Sequence, residues 1–346
     1  MPNPPVPQLG GRRPSHAIAV LLAAVLWGTT GTVAHFAPPG SSALAIGLAT
    51  FGIGGVVLAA ISLRRVARVL RRRADLGWLL AGAVGVVLYP AAYYPSMTLA
   101  GVAVGNVVAL GSGPIFAALL EWAVDRRRPD LRWTAATGIA VVGIVLLAIG
   151  GHGGGAAAST ADAPAGVALA LVAGFGYALY AFAGARLIGR GASATGAMGA
   201  LFLVGGLACL GWLAIIGLGP LASVAGAATI AYLALVPMAL AYLLFGYALR
   251  ALPSSSATTL ALAEPVVATL LAVLVVGERP TAIGWAGLVV VAVGIALLTA
   301  PRRLDVRPLT RRRPRVGSGS TDAGRIAEPG GNSDHDGAGP PHEAPR

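Results

Sequence analysis

The chain has 346 residues, 56% of them hydrophobic and only 11% charged, with a mean hydropathy of +0.77. A soluble domain carries charge on about a quarter of its residues, so a water-exposed globular fold is excluded. A disordered chain is excluded by the hydrophobicity, and a collagen-like one because the 49 glycines keep no three-residue period. The net charge of +12 rests on arginine alone. Those arginines lie between apolar runs instead of on one folded basic face, which argues against a nucleic-acid partner. Cys209 is the only cysteine, so neither an intrachain disulfide nor a cysteine-based metal cluster can form.

Taken in chain order, the apolar runs have the length needed to cross a bilayer. The opening MPNPPVPQLGGRRPSHAIAV places two arginines before such a run, the layout of a secretory or twin-arginine signal. The run from Ile18 to Phe36 is longer than a signal core, however, and reads as a retained first span, 17–36, preceded by a short cytoplasmic segment, 1–16. Spans at 42–63, 76–96, 102–122 and 133–150 follow, the third interrupted by Pro90 and Pro95. A Gly- and Ala-rich linker at 151–163 is flexible by composition and lies outside the cytoplasm. Five more spans run at 164–184, 195–217, 227–248, 256–276 and 282–300. From 301 to 346 the composition shifts to Arg and Pro, then Gly, Ser and Asp, and predicts a disordered basic cytoplasmic tail.

Ten spans put both termini on one side. Of the 25 arginines, 24 fall in the termini and in alternate loops on that side, and only Arg279 falls opposite. By the positive-inside rule both termini are cytoplasmic, in the cytoplasmic membrane of a bacterium. The cluster LRRVARVLRRR at 63–73 marks the same topology, and the Arg-rich loops and tail are expected to lie against anionic lipid of the bilayer.

The chain also repeats itself. Residues 114–147 match 265–298 at a spacing of 151, with 13 identities in 34 positions. Among them are Pro114 with Pro265, Arg128-Pro129 with Arg279-Pro280, and Gly143-Ile144 with Gly294-Ile295. Five spans per copy is an odd number, so the second copy must enter the membrane from the opposite side. The expected fold is therefore all-α and membrane-integral. It has ten transmembrane helices in two inverted five-helix repeats, 17–150 and 164–300, around a central cavity that can open to either side.

The stretch from Met238 to Leu298 resembles the second half of EamA-type members of the drug/metabolite transporter superfamily, on Tyr242, Ala248-Leu249, Glu264-Pro265, Gly277-Glu278-Arg279 and Gly294. The first half looks like the same module, with Leu26-Trp27-Gly28 and Pro114, but has Arg127 where the second copy has Glu278 and Gly113 where it has Glu264. The resemblance implies ten helices, a central cavity and transport of small metabolites, commonly outward, without naming a substrate.

Glu264 falls near the middle of span 9. An ionised carboxylate there costs about 2.5 kcal/mol or more, so it faces the interior or water. It can exchange protons during a transport cycle, pair a cationic or amine-bearing solute, or bond backbone freed by Pro265. Pro114 and Pro265 each remove a helix hydrogen bond and are expected to kink equivalent spans. Trp27 and Tyr177 fall well inside their spans, away from the interfacial depth where aromatics usually anchor. With Tyr89, Tyr93, Tyr94, Tyr180 and Tyr242 they suit either an aromatic lining for flat or cationic solutes or packing between helices. Asn106 is a candidate hydrogen-bonding group, and Thr29, Thr30 and Thr32 suit helix-to-helix bonds. Glu121 and Asp125 beside Arg126, Arg127 and Arg128 read as a solvated ion-pair rim, and Glu278-Arg279 as a loop before the last span, with Pro280 at that span's start.

No catalytic, metal-binding or cofactor motif is found, and the five histidines lie outside the spans or at their ends. The reading is a secondary carrier, by alternating access and directed outward, for a small polar or amphipathic solute. A membrane-embedded enzyme and a sensor or scaffold are the alternatives, and no sequence pattern sets an oligomeric state.

Overall fold

The computed structural model describes residues 13–150, 162–277 and 279–300. The N-terminal segment up to residue 12, the linker at 151–161, Glu278 and the tail at 301–346 lie outside the described residues. Among those described, all regular structure is helical. Hydrocarbon offers no partner to backbone N–H and C=O groups, so each span satisfies its own.

In the first half come α1 (Arg13–His35), α2 (Ala43–Ala60), a short helix α3 (Leu63–Leu70), α4 (Leu76–Ala100), α5 (Val102–Asp125) and α6 (Leu131–Gly150). In the second come α7 (Ala163–Gly189), α8 (Ala194–Ile216), α9 (Val224–Leu233), α10 (Ala241–Ala248), α11 (Ser254–Ala261), α12 (Glu264–Leu271) and α13 (Ala282–Thr299). They make ten segments long and apolar enough to cross a membrane. Ser42, Ser193, Ser223 and Thr281 cap helix starts by accepting a backbone N–H. In α3 the sequence LRRVARVL turns Val66 and Val69 inward and leaves its arginines outside.

Two spans are composite. A π-helical turn at Ala234–Leu240 joins α9 to α10 around Pro237, whose missing N–H breaks the regular ladder. Span 9 breaks at residues 262–263, just before Glu264-Pro265, and its distal half continues into π-helical turns at Ala272–Val276. By contrast, α4 runs unbroken through Pro90 and Pro95 to Ala100, so the expected interruption does not occur. There α4 lies against α7 with Gly85 and Gly176 facing, an added Cβ at Gly85 falling 2.6 Å from the Gly176 carbonyl oxygen. Tight packing along that seam supports the helix where two backbone bonds are missing.

Polar contacts fix which helix ends lie together. His16, near the start of α1, stacks on Tyr247 at the end of α10 with 4.5 Å between ring centres. At the end of α7, Arg186 pairs with Asp125 and Arg190 Nε donates to Asp75 Oδ1 at 2.6 Å. At the far end Thr281 donates through N and Oγ1 to the Gly150 carbonyl, both at 2.9 Å. So α1 starts, and α7 finishes, at the arginine-rich end, and the two copies run in opposite senses. The packing obeys the same relation: α7 lies on α4 and α5, α1 lies on α10 and α12, and α2 pairs with α8 and α6 with α13 across the copies. Exchanging the copies leaves this set unchanged, as an inverted two-fold pair requires.

Small residues let the copies meet. A Cβ on Gly143 would fall 2.5 Å from Val291 N, and one on Gly150 would fall 1.9 Å from Gly284 N. Main chain therefore touches main chain along α6 and α13, the usual route to helix association where lipid removes the hydrophobic drive. Leu22, Val84, Ile115, Val289 and Val293 are among the large apolar side chains left exposed, as a surface facing hydrocarbon needs.

Candidate functional site

The aromatic residues singled out in the sequence converge on one region, in two layers. The buried layer holds Trp27, Tyr177, Tyr180 and Tyr242. Tyr180 and Tyr242 share a hydrogen bond of 2.6 Å between their hydroxyls, so each satisfies the other in an apolar setting. Trp27 packs on Tyr242 at 5.1 Å and on Phe245 at 5.4 Å, while Phe202 lies 4.3 Å from Tyr242. The second layer is half-buried and consists of Tyr89, Tyr93, Tyr94 and Asn106. Tyr89 stacks on Tyr93 with 5.1 Å between centres and 16° between planes, and Tyr93 donates its hydroxyl to Asn106 Oδ1 at 2.8 Å. Tyr89 also meets Tyr177 edge-on at 6.0 Å and so joins the layers.

Glu264 completes the arrangement. It opens α12 at the break in span 9 and is half-buried. Its carboxylate lies within electrostatic range of Tyr89, Tyr93 and Tyr94 of α4, Tyr177 of α7 and Tyr242 of α10, which places it on the inside of the bundle. None of the described residues hydrogen-bonds or ion-pairs with it. The Tyr177 hydroxyl, close by, is buried and also lacks a hydrogen-bond partner. An acid and a hydroxyl are thus uncommitted among aromatic faces, an arrangement that can take a proton or a cation.

Local backbone explains the placement. Pro265 follows Glu264 and supplies no N–H, and Thr258 and Thr259 bond back to Ser254 and Ser255 carbonyls within α11, a pattern that bends helices. Pro114, at the matching place in α5, is buried within an uninterrupted helix, so the two prolines do not act alike. Beside it Gly113 leaves the space that the Tyr177 ring fills, since a Cβ there would sit 2.8 Å from Tyr177 Cδ1. Gly28 similarly lets α1 close on α12, where a Cβ would fall 2.7 Å from Val267. Thr29 donates to the Leu26 carbonyl and accepts from Tyr232 at 3.1 Å, a helix-to-helix bond.

The expected ion-pair rim needs correction. Glu121 is 7% exposed and accepts from Ser254 Oγ at 2.6 Å, Ser255 N at 3.0 Å and Ser255 Oγ at 2.8 Å. It caps the first turn of α11 from the other copy, where a carboxylate also suits the helix dipole. Asp125 pairs with Arg186, from α7, and not with its arginine neighbours. Sequence reasoning missed this latch because Ser254 and Ser255 lie more than 130 residues away. It also missed Phe51, Phe202 and Phe245 in the aromatic cluster, since a phenylalanine has no polar atom to stand out in an apolar span.

Comparison with known proteins agrees with this architecture. A crystal structure with TM-score 0.70 and 21% identity covers 83% of this chain and 97% of its own, and shares the fold. The uncharacterized transporter YwfM of Bacillus subtilis (strain 168) is 34% identical over 290 residues, which is 83% of this chain and 95% of that protein. The EamA-like transporter family matches twice, over residues 15–149 and 164–300, one match per helical copy. The chain is therefore a multi-pass membrane protein that belongs to the EamA-like transporter family, within the drug/metabolite transporter superfamily.

Proposed function

We propose that this transporter is a secondary carrier that exports a small amine-bearing organic solute by rocking its two inverted copies about the central site. One observation carries the reading. Glu264 is a carboxylate in mid-span with no protein partner among the described residues, within electrostatic range of tyrosines from three helices. An acid kept there against its desolvation cost is a functional group by default. Tyr89 and Tyr93 nearby supply aromatic surface that favours a cation, and Asn106 adds a polar anchor through Tyr93. When the solute leaves, a proton on Glu264 removes the charge, which couples efflux to proton entry. The arginine-rich end faces the cytoplasm of a bacterial cell in this reading.

Glu264→Gln in proteoliposomes tests it. With an imposed pH gradient, uphill efflux of a screened amine should fall to background while the variant still folds and inserts. If uphill flux persists unchanged, Glu264 does not couple. Solutes for the assay come from a thermal-shift screen of purified protein, because a ligand that favours the native state raises its melting point.

A further inference from the structure

At the arginine-rich end, α5 and α6 splay and leave a groove of about 670 Å³. Ile115, Leu119 and Trp122 line it from α5, at the spacing of one helix face, and Trp133, Gly138 and Val141 line it from α6. Ile115, Leu119 and Trp122 are each close to half exposed, and a Cβ at Gly138 would meet nothing within 4 Å. The groove therefore opens to the outside of the bundle.

Charge at its mouth is unbalanced. Arg126 holds a left-handed φ of 55°, alone among the described non-glycine residues, and ends α5 by donating its N–H to the Glu121 carbonyl. The turn leaves Arg128 at the groove mouth. The nearby acids are all engaged elsewhere. Glu121 holds Ser254 and Ser255, Asp125 holds Arg186, and Asp130 accepts the Trp133 backbone N–H at 2.7 Å as the cap of α6. Among the described residues, no ion pair involves Arg126, Arg127 or Arg128. The Trp133 indole N–H, in the groove wall, is buried without an acceptor.

We propose that this groove binds one phospholipid with an anionic headgroup. The phosphate sits on Arg128, whose guanidinium fork matches its oxygens, with Arg126 and Arg127 next to it in the chain adding positive charge, and an acyl chain lies along Ile115, Leu119 and Val141. The tryptophans stand at the polar–apolar boundary, where indoles favour headgroup level. A soluble anion would leave the apolar walls uncovered, and a zwitterionic lipid would leave the arginine charge at the mouth unanswered. On the groove floor Thr137 hydrogen-bonds Thr259 of α11 at 2.9 Å, so a bound chain bears on the joint between the copies.

The test is native mass spectrometry of the purified chain in detergent with phosphatidylglycerol, phosphatidylcholine and glycerol 3-phosphate. One phosphatidylglycerol should be retained on the order of tenfold more tightly than phosphatidylcholine, with no displacement by glycerol 3-phosphate. Arg127→Ala with Arg128→Ala should abolish the preference. Placement is read separately: phosphatidylglycerol brominated on its acyl chains, at one lipid per protein, should quench tryptophan fluorescence, and Trp122→Phe with Trp133→Phe should remove that quenching. Equal binding of the two lipids, an arginine variant that keeps the preference, quenching unchanged in the tryptophan variant, or displacement by glycerol 3-phosphate would each overturn the proposal.

Discussion

Glu264 occupies a position that its counterpart in the other copy, Gly113, leaves without a side chain. The Tyr177 ring takes up that room, so the two copies build one symmetric frame and furnish it with a single acid. Gly113→Val should push the ring aside. It should destabilise the fold by about 1–3 kcal/mol, the usual range for overpacking, seen as a lower melting temperature of purified protein. Tyr93→Phe removes a hydroxyl from the half-buried layer and leaves Asn106 unpaired. It should weaken ligand binding with a change of melting temperature worth only about 1 kcal/mol, and an unaltered ligand-induced thermal shift would detach that pair from the site. The sequence made the tyrosines and Trp27 visible because polar atoms at mid-depth stand out. It misplaced Glu121 because three arginines and an aspartate nearby suggested solvent, whereas its true partners belong to the other copy.

Among the elements, span 9 departs clearly from its counterpart. Where α5 continues through Pro114, the second copy breaks into α11 and α12, with Ser and Thr hydroxyls close before the break. The start of α11 depends on Glu121 for its cap. Glu121→Ala should cost about 2 kcal/mol, a strong capping loss, with Glu121→Gln milder because an amide oxygen still accepts one bond. Melting curves of both variants check the order, and equal loss would mean that charge, not the acceptor, matters. Span positions were legible from apolar runs to within a few residues. The π-helical turns and the continuity of α4 were not, because neighbouring helices decide whether a proline interrupts its own.

At the scale of the whole molecule, the inverted arrangement was readable from a repeat spacing of 151 together with an odd number of spans per copy. The central partners were not, because no local pattern tells which faces of ten apolar helices meet. Single cysteines test the topology: Arg71→Cys and Leu218→Cys should react with a membrane-impermeant maleimide from opposite sides, against a background in which Cys209 is buried. Labelling of both from one side would refute the inversion.

The meeting of α6 and α13 carries one more consequence. Even a methyl group at Gly143, Gly150 or Gly287 would strike the opposing main chain, so this pair cannot slide or separate without losing its fit. It serves as a keel. Spin labels on the lipid-facing flanks of that pair should keep one interspin distance whatever solute is added, giving a fixed datum against which tilting of the other helices can be measured.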